Sequence, residues 1–279
     1  MKIDKTIAEI ESCFSHPELF TFWNLCEDFV KRENTPVFSY LGLNFNNETV
    51  VSIKFYVHFF RDLSVEEIDK FLPKNEDYLK FIHLKKRTHP SDFHPTNSGI
   101  ALELKFINGQ NSPRKGFFYH LKNCNESYDA LGITRDLINP PDALGINYEY
   151  ELDKTIFKNY FYYSQKESIS SLSKKFGDEL IDDAHIVEFA ESNNISKLNL
   201  IFVEKEFPRI RENISDFLES EWEVIRILNE KYGFFNTAFG YYFKPSTVKS
   251  MYFFKTPYES DNALYSNVLS GIIKQNSQD

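Results

Sequence analysis

The stretch "VVSIKFYVHFF" (Val50–Phe60) is dense in branched and aromatic residues, the composition of a β-strand. Side chains alternate across a strand. One face therefore carries Ile53, Phe55, Val57 and Phe59, all apolar. The other carries Ser52, Lys54, Tyr56 and His58. What that second face looks at decides the fold. Upstream, "VFSYLGLNF" is another strand pattern, and Asn46-Asn47-Glu48 predicts a hairpin turn between the two. Downstream, Ser64 with Glu67 three residues later is a capping box, so a helix starts in "SVEEIDKFL".

The same sentence recurs along the chain. Gly99–Lys122 reads as a second hairpin turning at Asn108-Gly109. Gly145–Ser164 is a third, followed by helical "KESISSLSKKFG". His185–Glu204 is a fourth, turning at Asn193-Asn194, and Pro208 then opens a long helix through Ile210, Ile214, Leu218, Trp222, Ile225 and Leu228. Ala238–Lys255 is a fifth, followed by a last helix, "NALYSNVLSGIIK". The segment Ser127–Ile138 is a weaker helical pattern after the second hairpin. Residues 4–32 read as helix, broken at His16-Pro17. Gly42-Leu43-Asn44-Phe45 and Gly145-Ile146-Asn147-Tyr148 open hairpins one and three, and each is followed by Lys-x-Tyr: Lys54/Tyr56 and Lys158/Tyr160. Matched positions of this kind mark an internal repeat. No low-complexity linker divides the chain, and one domain over residues 1–279 is expected.

The second strand of every hairpin carries a lysine near its start: Lys54, Lys115, Lys158, Lys197 and Lys249. Phe157 and Phe161 oppose Lys158, Tyr160 and Tyr162; Leu198, Leu200 and Phe202 oppose Lys197 and Asn199. On a first strand, Ile100, Leu102, Leu104 and Phe106 oppose Glu103 and Lys105, and in "GYYFK" the polar face is Gly240, Tyr242 and Lys244. In the second strands of hairpins two and five the alternation leaves both faces open. Ten antiparallel strands that close on themselves remove their exposed edges, with helices covering the apolar faces. The polar faces then line a lumen. The other reading of such faces is the solvated side of an open sheet. A lumen with several lysines calls for an anion, because buried unpaired charge is costly.

The chain has 279 residues, 16% of them aromatic, with 28 Phe and 16 Tyr, enough for a large core and an apolar cavity. A net charge of −9 argues against nucleic acid as a partner. Cys13, Cys26 and Cys124 lack a metal or redox spacing, which suits a reduced, cytoplasmic setting. The N-terminus lacks a signal-peptide apolar core, and no apolar run reaches the ~20 residues that a membrane span needs. His83, His89 and His94 read as a polar loop rather than a zinc site, and Asp182-Asp183 as a helix–strand border. Nucleotide-binding glycine motifs and the Gly-x-Ser-x-Gly elbow are missing.

The five hairpin-plus-helix units, the paired "GLNF…KFY" and "GINY…KNY" segments and the late "YYFKP…KSMYFF" resemble the ABBA-type aromatic prenyltransferases, which include indole, phenol, phenazine and cyanobactin-type enzymes. The resemblance extends over about Val37 to Lys255 and implies an α+β fold: a ten-stranded antiparallel barrel (PT-barrel) with helices outside. It implies transfer of a prenyl group from an allylic isoprenoid diphosphate to an aromatic small molecule or peptide side chain. Diphosphate contacts are implied for Lys54, Tyr56, Lys105, Lys158, Tyr160, Lys197, Asn199, Tyr242 and Lys249. Lys197-x-Asn199 departs from Lys-x-Tyr, and arginine is scarce, with Arg61 and Arg114 at strand ends. Glu103 is the candidate base, with an ion pair to Lys105 or another lumen lysine as its competing role and Glu149 and Glu188 as fallbacks. No metal is required, although a diphosphate can bring Mg²⁺. A monomer is expected. The rival reading is a non-catalytic barrel that holds a lipid or an aromatic metabolite.

Overall fold

A computed structural model of the chain describes residues 3–33, 37–47, 49–91, 97–106, 113–133, 140–176, 179–192, 195–202, 219–244, 248–255, 268–269 and 272. Two helices lead: α1 (Ile3–Phe14) and α2 (Pro17–Glu33), separated at His16 as the proline dictates. Five hairpins follow: β1 (Val37–Asn46) with β2 (Thr49–Phe59), β3 (Ser98–Lys105) with β4 (Arg114–Leu121), β5 (Ala143–Glu151) with β6 (Lys154–Tyr163), β7 (Ile186–Ser192) with β8 (Ile195–Ile201), and β9 (Phe235–Lys244) with β10 (Val248–Phe254). Between them lie α3 (Val65–Ile68), α4 (Glu76–Arg87), α5 (Asn125–Leu131), α6 (Lys166–Phe176) and α7 (Glu219–Tyr232). The Ser64–Glu67 capping box is present at the start of α3.

Every strand pairs antiparallel with its sequence neighbours, and β1 pairs with β10, so the sheet is a closed ten-stranded barrel. This is the architecture implied by the sequence resemblance. Closure leaves no unpaired edge. The main apolar core lies between the barrel and the helices. Phe14 on α1 meets Phe55 on β2 with ring centroids 6.4 Å apart, and Phe81 on α4 meets Phe117 on β4 at 5.4 Å. Leu41, Leu43, Phe45, Ile53, Phe55, Val57 and Phe59 are all buried in this outer layer. The apolar face of the opening stretch thus looks outward, and Lys54, Tyr56 and His58 look in.

The turns reflect local chemistry. Asn47 has a φ of 53°, the left-handed conformation that asparagine tolerates. Leu152 and Asp153 turn hairpin three with φ of 44° and 63°, a turn with no glycine to announce it. The expected turns at Asn108-Gly109 and Asn193-Asn194, residue His94, the Pro208–Leu218 part of the long helix and most of the final helix lie outside the described residues. Of that final segment, Val268, Leu269 and Ile272 are buried, and the Leu269 N–H donates to Ser39 Oγ at 3.3 Å.

Candidate functional site

The barrel lumen contains a cavity of about 110 Å³, lined by residues from nine strands, every one but β5, with Ala238 the contribution of β9. Its two ends differ. Strand register puts Asn44, Ser52, Lys54, Glu103, Arg114, Glu149, Lys158, Lys197, Asn199 and Ser250 toward the hairpin-turn end. Toward the other end lie Phe38, Tyr40, Tyr56, His58, Phe118, His120, Tyr160, Tyr162, Tyr252 and Phe254.

Glu149 is the hub of the ionic end. It is buried, on β5, and accepts from Lys54 Nζ at 2.6 Å and Lys158 Nζ at 2.8 Å, one lysine to each carboxylate oxygen. Arg114 approaches it at 3.3 Å, and the neighbouring Asn147 Nδ2 donates at 3.0 Å. Lys54 reaches it from β2 across two intervening strands, which only an inward-pointing side chain can do. Burial alone would raise the Glu149 carboxyl, but Lys158, Lys54 and Arg114 hold it well below the usual carboxylate range. Burial lowers the Lys158 ammonium from its ordinary value against the pull of Glu149. Lys197 Nζ donates to Ser250 Oγ at 2.9 Å and to the Tyr252 hydroxyl. Burial pushes it well below the lysine range, and repulsion from Lys158 and Lys54 adds to this.

Gly240 makes room for this group. A Cβ there would lie 2.4 Å from Lys197 Cε and 2.3 Å from Asn199 Oδ1. Gly145 does the same for the aromatic end, where a Cβ would meet the Tyr162 ring at 2.9 Å. The glycine of the repeated Gly-x-Asn segment in hairpin three is therefore a spacing device on the lumen face.

Glu103 faces the lumen, as alternation requires, and is tied into the ionic network. Ser52 Oγ donates to it at 2.6 Å, Asn44 Nδ2 at 3.4 Å, and Arg114 pairs with it at 3.4 Å. Its charged partner is Arg114, not Lys105 or another lumen lysine, and Lys105 pairs with Glu151 instead. Glu188 sits beside Asn199, whose Nδ2 donates to it at 3.1 Å, and burial raises its carboxyl from the ordinary value. Lys105 lies at the rim, half-buried, paired with Glu151 at 2.6 Å rather than lining the cavity.

Two lysines of the series are turned the other way. Lys249 points outward under α7 and pairs with Glu221 at 2.7 Å, which corrects its assignment to the lumen. The reason is strand parity: Ser250 and Tyr252 face in, so Lys249, Met251 and Phe253 face out, and a register shift follows between Tyr252 and Phe253. Lys115 also faces out, its ammonium 5.5 Å from the Phe71 ring, and its neighbour Arg114 takes the inward place. Tyr242 stands opposite Lys197 on β9, but its side chain lies outside the described residues.

At the aromatic end, Tyr40 stacks on Tyr56 at 4.5 Å and on Phe254 at 5.1 Å. His58 stacks on Phe118 at 5.8 Å and is 3.3 Å from the Tyr40 hydroxyl. His120 meets the edge of Tyr162 at 5.0 Å and lies 6.0 Å from His58. Sequence reading left Arg114 open and missed Phe118, His120, Tyr252 and Phe254. Both faces of β4 and β10 carry large apolar side chains, so alternation gave no signal there.

Neither the protein-family models nor the curated proteins match this chain. Among solved structures, it is similar to NotF prenyltransferase, with a TM-score of 0.48 and 10% identity over 81% of this chain and 80% of that one. A second similar structure is NotF in complex with brevianamide F and DMSPP, with a TM-score of 0.43, 10% identity and the same coverage. Among the described residues, no helix is long and apolar enough to cross a membrane.

Proposed function

We propose that the barrel binds an allylic isoprenoid diphosphate and transfers its prenyl group to an aromatic acceptor. The observation that carries this reading is the axial division of the lumen. Lys54, Lys158 and Lys197 gather at one end, and a sleeve of Tyr, Phe and His rings begins next to them. The Lys54 ammonium stands 5.2 Å from the Tyr56 ring and 5.4 Å from Phe118, so charge and aromatic faces meet at one level.

In this reading the diphosphate lies among Lys54, Lys158 and Lys197, with hydroxyl donors from Tyr56 and Tyr160. Those groups stabilise the negative charge that develops as the C–O bond to the diphosphate breaks. The allylic cation left behind faces Tyr56, Tyr252 and Phe118, whose π-faces attract it. An acceptor ring stacked along Tyr40 and His58 attacks the cation, and a lumen base takes the proton that the acceptor loses. Glu103 is engaged by Ser52 and Arg114 at the diphosphate end. It serves the acceptor only if the acceptor reaches that far. Arg114 supplies the guanidinium that the sequence had left in doubt. The reaction requires no metal, although a diphosphate can bring Mg²⁺ with it.

A second reading, a non-catalytic barrel for a small aromatic or lipid-derived molecule, is favoured by the size of the cavity. At about 110 Å³ it compares with the ~150 Å³ that holds one benzene ring, so it takes a ring or a five-carbon chain but not both without expansion. The two readings separate on donor binding and turnover. Calorimetry with dimethylallyl and geranyl diphosphate should show binding, stronger for the five-carbon donor. Incubation with indole, phenol or a tyrosine- or tryptophan-bearing peptide should then give a prenylated product. Donor binding without product from any acceptor removes the transferase reading. Binding of indole with no affinity for either diphosphate establishes the second.

A further inference from the structure

The lysines proposed to hold a diphosphate already hold an anion. Glu149 takes both Lys54 and Lys158 at 2.6 and 2.8 Å, one on each oxygen. A diphosphate oxygen bridging those two ammoniums would have to sit where this carboxylate sits. We propose that Glu149 is a built-in counter-anion that an incoming diphosphate displaces from Lys54 and Lys158, becoming protonated as it yields them. This deepens the reading of the previous section and rests on it.

The argument is one of charge in a buried place. The groups facing Glu149 are Lys54 from β2, Arg114 from β4 and Lys158 from β6, with Asn147 on its own strand; Glu103 from β3 shares Arg114 with it, and Lys197 from β8 is repelled by the same Lys158 and Lys54. In the empty barrel, Glu149 sets one negative charge between two lysines that would otherwise repel each other in a site shielded from water, so the cavity stands ready without a bound ion. A diphosphate brings several negative charges to the same spot. Once its oxygens take the two ammoniums, the cations that keep Glu149 ionised are spent on the ligand. Arg114 cannot replace them, because it is shared with Glu103 at 3.4 Å and Glu151 at 2.8 Å. A fully buried carboxylate beside a polyanion then takes a proton from solution.

The sign of the linkage follows. Free protein carries Glu149 ionised, and the complex carries it protonated, so the complex holds one more proton. Binding takes up a proton, and affinity rises as pH falls through the range between the two states. The device also selects the ligand: a singly charged anion gains too little to dislodge Glu149, whereas a diphosphate does.

The experiment is calorimetry of the whole protein with dimethylallyl diphosphate and with inorganic diphosphate. Proton exchange is read with dimethylallyl diphosphate at about pH 8, above its last ionisation, which for a phosphoester is near 6; inorganic diphosphate, which still carries a proton at that pH, reports affinity only. Buffers of different ionisation enthalpy report the protons exchanged. Any proton that Lys197 gains beside the ligand is common to both proteins, so wild type should take up about one proton more per ligand than Glu149→Gln, and Glu149→Gln should bind about tenfold tighter or more, because it no longer opposes the ligand; equal uptake by the two overturns the inference. Binding by wild type without proton uptake overturns the inference and leaves the diphosphate reading intact, and this needs no variant to fold. A wild type that binds neither ligand at any pH overturns both. If Glu149→Gln is unstable without ligand, its rescue by inorganic diphosphate, read as a rise in Tm larger than that of wild type, supports the same displacement. A smaller rise counts against it.

Discussion

Two buried lysine–carboxylate contacts lie on opposite faces of the same barrel wall. Lys249 meets Glu221 between β10 and α7, and Lys54 meets Glu149 inside the lumen. Distances and burial are nearly equal, at 2.7 and 2.6 Å, with both carboxylates fully buried. What differs is the company. Lys249 and Glu221 are enclosed by the apolar layer that binds a helix to the sheet, next to Trp222 and Ile225. Lys54 shares its carboxylate with Lys158 and Arg114, next to Lys197 and open to a cavity. The same pair of residue types is a fastening in one place and a surplus of positive charge in the other. Burial of a lysine is therefore no guide to its role until its face is known.

The comparison predicts opposite profiles. Lys249→Met should lower stability most, by about 3–5 kcal/mol, because it strips Glu221 of its ammonium and leaves a buried charge. Prenyl diphosphate affinity should be unchanged. Chemical denaturation and calorimetry on the same sample check this, and the double variant Lys249→Met/Glu221→Leu should recover much of the loss. A donor-binding defect in Lys249→Met would erase the distinction between the two faces.

Lys158→Ala and Lys54→Ala come next. Each should weaken dimethylallyl diphosphate binding by about 1.5–3 kcal/mol, roughly ten- to over a hundredfold, through loss of a charge-assisted hydrogen bond. Empty-barrel stability should move much less than in Lys249→Met, since Glu149 keeps the other lysine and Arg114. Equal Tm losses in all three variants, with no change in ligand binding, would make the lumen pair a fastening too.

Tyr56→Phe is the smallest. It keeps the ring that stacks on Tyr40 and removes a neutral hydroxyl donor, so donor affinity should fall by about 0.5–1.5 kcal/mol. A shift in Tm larger than that of Lys158→Ala would place the hydroxyl in the fold rather than in ligand binding.

Much of this molecule was legible in its sequence. Period-two alternation, the turn residues and the capping box at Ser64 are local signals, set by backbone stereochemistry within a few residues. They gave the five hairpins and the inward direction of Lys54, Tyr56, Glu103, Lys158, Tyr160, Lys197 and Asn199. Alternation fixes only which residues share a face, and it fails where both faces are apolar. In β10, Met251 and Phe253 compete with Tyr252 and Phe254 as candidates for the apolar face, although the alternation itself runs unbroken, the extra residue of the register shift being Thr237 on β9. Lys249 could not be placed until β10 was paired to β1 and its outer face met α7.

The charge balance of the lumen was also beyond the sequence. Lys54 and Glu149 are 95 positions apart and lie on strands separated by two others, so nothing in either neighbourhood announces the contact. The sequence by itself determined a barrel whose inner face is basic and phenolic. Only the closing of the sheet decided that one carboxylate would stand between two of its lysines, because the curvature of a closed barrel carries side chains from non-adjacent strands to a common centre.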